Sequence, residues 1–299
     1  MNDMSDKRLT LRQKDILYVA MMIVPLLLAM LLKILTTPPS DGITITGARV
    51  FFTIPMPIMD MPVSEAQVNA WLILVTIIGA CLFLTNGLGN GGWRQHAAEW
   101  IVEKLDGLVK SNMESIFSPY APFVGAILAL SACSSLMSLL GVFPPTSDLN
   151  VVGGWAILVF VLITKNKLKG GVGYYLKGFL DPIPVMLPMN IISEIATPIS
   201  MTFRHFGNVL SGTVISVLVG WALQSASAAL LGWLPGVLGE IPFLRIGIPG
   251  ILSAYFDVFS GCIQAFIFAM LTMLYVSGAY PGDEIAKRPP KERKTVEAQ

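Results

Sequence analysis

The stretch EIATPISMTFRHFGN, residues 194–208, places a permanent positive charge in the middle of an apolar segment. Between Pro182 and Gly239 the formal charges are Glu194 and Arg204 alone. An arginine at the centre of a bilayer costs about 2.5–3.5 kcal/mol on insertion scales, so it requires a partner, a water-filled cavity or a function. Arg204 is therefore the first candidate for a functional residue.

Polar residues around Arg204 recur at helical spacing. Intervals of four, three, four, four and three residues place them on one face of a single helix. This first polar stripe comprises Ser193, Thr197, Ser200, Arg204, Asn208 and Ser211. A polar helix face that is centred on a fixed cation inside a membrane predicts the wall of an ion path.

The composition is typical of an all-α integral membrane protein. Hydrophobic residues make up 54% of the chain and charged residues 13%, against roughly 25% charged in an average soluble domain. Six apolar segments are expected to cross the bilayer: residues 16–35, 68–84, 121–143, 151–164, 184–223 and 246–276. The last two are too long for one perpendicular crossing, so we expect tilted or bent helices, with Pro188 and Pro198 as places to bend.

The positions of Lys and Arg predict the orientation of these spans. Both chain ends and the segments 87–117 and 165–177 carry basic residues, whereas segment 36–66 has only Arg49 and the loop 144–150 has none. Short basic loops remain in the cytoplasm. We therefore expect six crossings with both termini cytoplasmic, including a basic tail at 281–299.

The region 1–66 is expected to be an extension with one membrane helix and an outer loop. The apolar run 16–35 predicts an uncleaved helix, because no small-residue cleavage site follows it closely; a cleaved signal peptide is the alternative. Short strand-like runs at 43–46 and 50–54 predict a small hairpin in the outer loop.

An amphipathic helix is predicted between the second and third spans, over residues 93–117. Trp100, Ile101, Leu105 and Leu108 recur at helical spacing there. Such a helix lies on the cytoplasmic membrane face or against a partner helix. A solvated connecting helix is the alternative.

A second polar stripe lies in the last span, at spacings of four, three and four residues: Ser253, Asp257, Ser260 and Gln264. On an α-helix these residues share one face. Two long helices, each with a polar face and one charge, can line a common cavity. The alternative is an Arg204–Asp257 ion pair that only holds the helices together, which does not explain why the polar faces continue past the charges.

Sequence motifs for nucleotide or metal chemistry are absent. The glycine-rich run 87–92 lacks the Lys-Ser/Thr of a phosphate loop. Neither histidine has ligand-type neighbours at metal spacing. We expect no cofactor, no metal site and no nucleic-acid partner.

Three separated motifs resemble subunit a of the F-type ATP synthase. The first is residues 194–208, which end in Arg-x-Phe-Gly-Asn; the second is QAFIF at 264–268, continuing to LTMLY at 271–275; the third is the loop PPTSDLN at 144–150. They occur in the family's order and cover the chain from about residue 67 to residue 280. The resemblance implies a subunit a core over 67–280, with two long, tilted, polar-striped helices last.

The family's functional residues transfer onto matching positions. Arg204 matches the essential ion-transfer arginine, and Ser260 joins the half-channel set as a member of the second stripe. The ion half-channel residues expected on this basis are Ser200, Asn208, Gln264, Asp257, Glu194 and Ser260. Two positions depart from the family: Thr213 replaces an acidic residue or histidine, and Gly141 replaces an acidic residue before the outer loop.

The resemblance implies a non-catalytic stator subunit of the F0 sector in a bacterial cell membrane. It implies two ion half-channels against a rotating ring of c subunits, with H+ or Na+ transfer coupled to ATP synthesis. The implied partners are the c-ring, peripheral-stalk subunit b, other ATP synthase subunits and membrane lipid. A stand-alone secondary transporter or ion channel is the alternative, although the six unequal spans show no internal repeat.

The orientation predicts opposite thiol reactivity for two segments. Single cysteines are introduced into 41–66 or 165–177 after Cys81, Cys133 and Cys262 have been replaced. An impermeant thiol reagent should label the first on whole cells, and the second only after the membrane is opened. The opposite pattern overturns the six-crossing topology. An unreactive 41–66 in a chain of lower mass means that the first span is cleaved.

Overall fold

The computed structural model describes residues 11–36, 47–57, 60–89, 91–113, 115–231 and 248–282. Its α-helices are α1 (Leu11–Thr36), α2 (Glu65–Thr85), α3 (Trp93–Asn112), α4 (Ala121–Leu136), α5 (Leu149–Leu168), α6 (Val172–Gly178), α7 (Leu187–Leu231), α8 (Ile248–Ser253) and α9 (Gly261–Gly278). Short 3₁₀ turns cover Ser115–Tyr120, Met137–Leu140, Pro145–Ser147 and Pro184–Met186, and Ala254–Ser260 is π-helical. Two strands, β1 (Val50–Ile54) and β2 (Met61–Ser64), complete the described elements.

Six helical segments of the described chain are long and apolar enough to cross a membrane: 12–36, 65–85, 116–140, 149–168, 184–230 and 250–278. The prediction of an all-α membrane protein with about six spans is confirmed. The third helical segment stops at Leu140, short of the expected residue 143. Gly141 ends it, because its φ of 69° is a left-handed conformation that glycine adopts without strain.

The main core lies where α4, α5, α7 and α9 pack together. Its buried side chains include Val124 on α4, Val159 on α5, Met201 on α7 and Phe268 on α9. A smaller core joins α1 to α2 and includes Ala29. α1 therefore packs mainly on α2, and α7 packs mainly on α5.

α7 is one helix of 45 residues, which corresponds to about 68 Å. That is more than twice the ~30 Å hydrocarbon thickness, so α7 must lie strongly tilted. Pro188 is in its first turn, where proline is accommodated without a bend, so Pro188 is not the bend that the sequence suggested. Pro198 lies inside the helix.

The last span is not one continuous α-helix. The π-helical segment Ala254–Ser260 separates α8 from α9. A π-helix closes i→i+5 hydrogen bonds, so its turns hold more residues than α-helical turns. The prediction that Ser253, Asp257, Ser260 and Gln264 share one α-helical face is therefore wrong.

The hairpin has a different partner strand from the one that the sequence suggested. β1 confirms the run 50–54, but it pairs antiparallel with β2, with Ile54 opposite Met61. The sequence did not suggest β2 because proline is rare in strands and β2 contains Pro62. An edge strand, however, tolerates proline. Residues 43–46 and the tail from residue 283 lie outside the described residues.

A helix between the second and third spans is confirmed as α3, although it ends at Asn112 instead of residue 117. Its exposed side chains include Trp93, Trp100 and Val102, whereas Val109 is buried in the main core. Its position on the cytoplasmic face of the membrane stays a prediction.

Gly261 permits the close approach of α9 to α4, and this gives a stability prediction. A Cβ at Gly261 would lie 2.6 Å from the Cβ of Ser135. We expect Gly261→Ala to destabilise the chain by about 1–3 kcal/mol through overpacking, measured as a lower thermal unfolding midpoint in detergent. Adding Ser135→Gly should recover part of the loss. Gly250→Ala is the control, since nothing lies within 4 Å of its Cβ position; equal losses at both glycines would contradict the packing argument.

Candidate functional site

Arg204 lies on the outer surface of α7. Its side chain is exposed, as is that of Ser200 one turn earlier, whereas Met201 and Thr202 between them are buried. An Arg204–Asp257 ion pair, the structural alternative raised by the sequence, is not among the ion pairs of the described residues. The arginine is therefore presented outward from the bundle.

His205 fixes the rotation of α7 that exposes Arg204. Its imidazole is fully buried, and a hydrogen bond of 3.1 Å joins its Nε2 to the Ser131 hydroxyl on α4. The ring also meets Trp155 of α5 and Phe268 of α9 edge to face, at centroid distances of 6.3 and 5.6 Å. Successive helix residues point about 100° apart, so anchoring His205 inward turns Arg204 toward the outside. The sequence analysis assigned no role to His205. Its position next to Arg204 was the feature of the sequence that could have indicated one.

Asn208 and Ser260 bring the two polar stripes together. The Ser260 hydroxyl donates to Asn208 Oδ1 at 2.9 Å, and Asn208 Nδ2 donates to the Ser260 carbonyl at 3.4 Å. These bonds join α7 to the last π-helical turn. Close to them, a Cβ on Gly212 would lie 3.1 Å from the Phe256 Cβ, so the two helices approach closely here.

Asp257 and Gln264 occupy different environments. Asp257 is half-buried in the π-helical segment, whereas Gln264 is buried on α9 with 6% of its surface exposed. Among the hydrogen bonds of the described residues, those that join two of the six expected half-channel residues are the Asn208–Ser260 bonds. π-helical turns recur at functional sites, which is consistent with a role for Asp257.

Glu194 forms an ion pair at one end of the bundle. Its Oε2 lies 2.5 Å from Lys167 Nζ of α5, and the two side chains are 13% and 31% exposed. A cavity of about 370 Å³ opens beside the pair and is bounded by α6 and by Asn190, Ser193 and Thr197 of α7. We call this end of the bundle the lysine end.

Tyr175 also lines the lysine-end cavity, outside the spans. Burial, and then the nearby Glu194 carboxylate, raise the pKa of its phenol above the ordinary value. Tyr175 therefore stays neutral at physiological pH and offers the cavity a hydroxyl group without adding a charge.

A larger cavity, of about 880 Å³, lies at the opposite end of the bundle. We call this end the hairpin end. Its walls come from the β1–β2 hairpin, the turn 143–150 and α7. On α7 it is lined by Phe206, Leu210 and Thr213. Asn208, Asp257 and Gln264, which the family resemblance placed among the half-channel residues, are not among its described lining residues.

Arg204 lies between the two cavities along α7. The lysine-end cavity reaches Thr197 and the hairpin-end cavity begins at Phe206, nine residues later, which is about 13.5 Å of helix. Arg204 falls within this gap and is not part of the described lining of either cavity. Within the described residues, two cavities thus reach α7 from opposite ends of the bundle, and Arg204 lies between their lining residues.

Comparison with known proteins identifies the family. Residues 68–277 match the family described as ATP synthase A chain. The chain belongs to this family. Named relatives include ATP synthase subunit a 1 of Chlorobium luteolum, 28% identical over 71% of this chain and 87% of its own length. ATP synthase subunit a, sodium ion specific, of Propionigenium modestum is 27% identical over 81% and 87%. ATP synthase subunit a 2 of Acaryochloris marina is 31% identical over 72% and 84%.

Family membership confirms the function that the motifs implied. ATP synthase A chain proteins are non-catalytic membrane subunits of the F0 sector. The chain is therefore a multi-pass stator subunit of ATP synthase, acting in ion transport within a complex of other ATP synthase subunits. The stand-alone transporter alternative finds no support in these relatives.

The Lys167–Glu194 pair gives a stability prediction. Lys167→Met leaves a carboxylate of 13% exposure without its cation. We expect a lower unfolding midpoint in detergent, with a loss below the about 3–5 kcal/mol of a fully buried pair, because Lys167 is partly exposed.

The matched variants are Glu194→Gln and the double variant Lys167→Met/Glu194→Gln. The double variant should be more stable than Lys167→Met alone, because it removes the unpaired charge. Strictly additive losses in the double variant would show that the two charges do not interact.

Proposed function

We propose that Arg204 is the ion-transfer arginine of this stator subunit and that the two cavities on either side of it belong to two offset ion half-paths. The observation that carries this proposal is the exposed position of Arg204 in the about 13.5 Å gap between the cavities. A cation at a lipid-facing helix surface requires a partner. The partner that fits is a membrane carboxylate of the rotating c-ring.

The charge of Arg204 controls when a ring carboxyl group releases its ion. A carboxyl group that faces lipid is neutral, because burying the ionised form without a partner is costly. The guanidinium of Arg204 favours the ionised carboxylate as it passes, so the bound H+ or Na+ leaves into one half-path. After Arg204, the carboxylate is reloaded from the other half-path.

The same charge prevents a direct leak. A cation that left one cavity would have to pass a fixed positive charge in a poorly hydrated region to reach the other, which is electrostatically unfavourable. Ions therefore cross only while bound to the c-ring, which carries them through nearly a full turn. Each elementary charge that crosses 100 mV releases about 2.3 kcal/mol, which drives rotation and ATP synthesis in the complex.

The expected half-channel residues divide between the two sides of Arg204. Glu194 and Ser200 serve the lysine-end half-path, since both precede Arg204 on α7. Asn208 and the last-span residues serve the other side, and the Asn208–Ser260 bonds support this grouping. Asp257 is the titratable relay of that side, with Ser260 and Gln264 beside it in sequence.

The exposed side of α7 is the surface proposed to meet the c-ring. Ile195, Ile199 and Phe203 expose 55%, 49% and 56% of their surface next to Arg204. An apolar face around a single cation suits a ring of apolar helices that carries one carboxyl group per hairpin. Peripheral-stalk subunit b is the further partner proposed.

The lysine end is proposed to face the cytoplasm of a bacterial cell, with both termini on that side. Lys165, Lys167, Lys169 and Lys177 cluster there, as the excess of positive charge on the inside requires. The chain then divides into an extension with one span over 1–66, a core over 67–280 and a basic cytoplasmic tail over 281–299. The hairpin-end cavity opens outside.

Replacing Arg204 tests the proposed role. Arg204→Ala should abolish ATP synthesis driven by an imposed ion gradient in inverted vesicles that carry the whole complex. Arg204→Lys should also fail, because lysine loses its proton readily when desolvated and lacks the planar fork of arginine. Lys104→Ala, an exposed cation on α3, is the control and should couple normally. Normal coupling in Arg204→Lys, with the complex assembled, would refute the role.

A further inference from the structure

The hairpin-end cavity has a wall that the family core does not supply. Gly47, Ala48 and Val50 of the hairpin line it together with Asp60 and Ser64. All of these residues precede residue 68, where the family match begins. The opposite wall is α7, at Phe206, Leu210 and Thr213. The extension and the long helix therefore enclose one space.

The hairpin is fastened to the bundle at the edge of this cavity. The Ser64 hydroxyl donates a hydrogen bond of 3.1 Å to Asp148 Oδ2, and the Glu65 amide donates to the Arg49 carbonyl at 2.7 Å. Asp148 also caps α5, since its Oδ1 accepts from the Asn150 amide at 2.9 Å. The wall is thus held in place by contacts to both α2 and α5.

The charged side chains in the described lining of the cavity have one sign. Asp60 and Asp148 are the charged groups in the part of the lining that the structure describes. Arg49, the nearby cation in sequence, directs its guanidinium to the Thr36 carbonyl. Carboxylates in a concave site with low-dielectric walls focus the field and raise the local concentration of cations.

Of the α7 residues that line this cavity, Thr213 is the farthest along the helix. Its hydroxyl donates to the Val209 carbonyl at 3.0 Å, so its remaining capacity is as an acceptor. The cavity has a volume of about 880 Å³, and the polar side chains of Ser64, Gln67 and Asn150 in its lining can hydrogen-bond to water there. Water can therefore carry a cation to α7 without a titratable side chain at this position.

We propose that the hairpin-end cavity is the cation vestibule of the outer half-path, with the hairpin as its wall and Asp60 and Asp148 as the carboxylates that attract H+ or Na+. This inference rests on the proposed function, since it names the access route of one of the two half-paths. It assigns the extension a direct part in ion transport. It also explains how a chain with Thr213 dispenses with a relay group there.

Charge-selective labelling of a cysteine inside the cavity tests the vestibule. Thr213→Cys is made in the complete complex after Cys81, Cys133 and Cys262 have been replaced by serine. Impermeant methanethiosulfonate reagents of similar size, one cationic and one anionic, are added to whole cells. The ratio of their reaction rates reports the local electrostatic potential at position 213 and does not depend on ATP synthesis.

The decisive comparison removes the two carboxylates. With Asp60→Asn and Asp148→Asn together, we expect the cationic-to-anionic rate ratio to fall about tenfold, at the lower end of the range for electrostatic focusing. Asparagine is as good an N-cap as aspartate, so the start of α5 is retained. The single variant Asp60→Asn, which makes no change to a helix cap, should give part of the fall.

The matched control removes two carboxylates elsewhere, with Glu99→Gln and Glu103→Gln on α3, and should leave the ratio unchanged. An equal fall in the control, or no fall in the Asp60/Asp148 variant, overturns the vestibule. The vestibule is also overturned if the Thr213→Cys thiol reacts only in opened or inverted membranes, or if it does not react at all. The proposed function fails separately, if the Arg204→Lys complex couples normally.

Discussion

A guanidinium held on the exposed face of a long membrane helix is the constraint on which this structure depends. Arg204 cannot lose its charge, and a lipid environment penalises it. Another side of α7 is buried in the bundle, and Met201, Thr202 and His205 lie on it. The buried imidazole is held by Ser131 and by two aromatic edges, so α7 has a defined rotation. The charge is thereby kept at the exposed surface of α7, where the proposed function requires a carboxylate of the c-ring to meet it.

The other elements shape the spaces on either side of that surface. The length of α7 lets one helix border a cavity at each end, with Arg204 in the uncovered stretch between them. The π-helical segment reshapes the last span at the point where Ser260 bonds Asn208. At the lysine end, the Lys167–Glu194 pair keeps a carboxylate compensated beside the cavity. Each feature places polar groups at a different level of the bundle.

The sequence predicted the features that depend on local pattern. Apolar run lengths identified six spans, and a period near 3.6 placed Ser200 and Arg204 together on α7, where both are exposed. It failed where a different period or a distant partner decides the structure. The π-helical turns broke the second stripe, because an α-helical period was assumed for it. The Lys167–Glu194 pair and the burial of His205 depend on packing between helices that are far apart in sequence, and so do both cavities.

The central claim is that Arg204 separates the two half-paths electrically. Passive cation flux across vesicles measures this directly, after the catalytic sector has been removed and the c-ring has been immobilised by cross-linking to this chain. With Arg204 in place, the immobilised complex should conduct at background level, because no carboxylate can carry an ion past the fixed charge. With Arg204→Ala, the same immobilised complex should conduct above background. Equal fluxes in the two complexes would contradict the account.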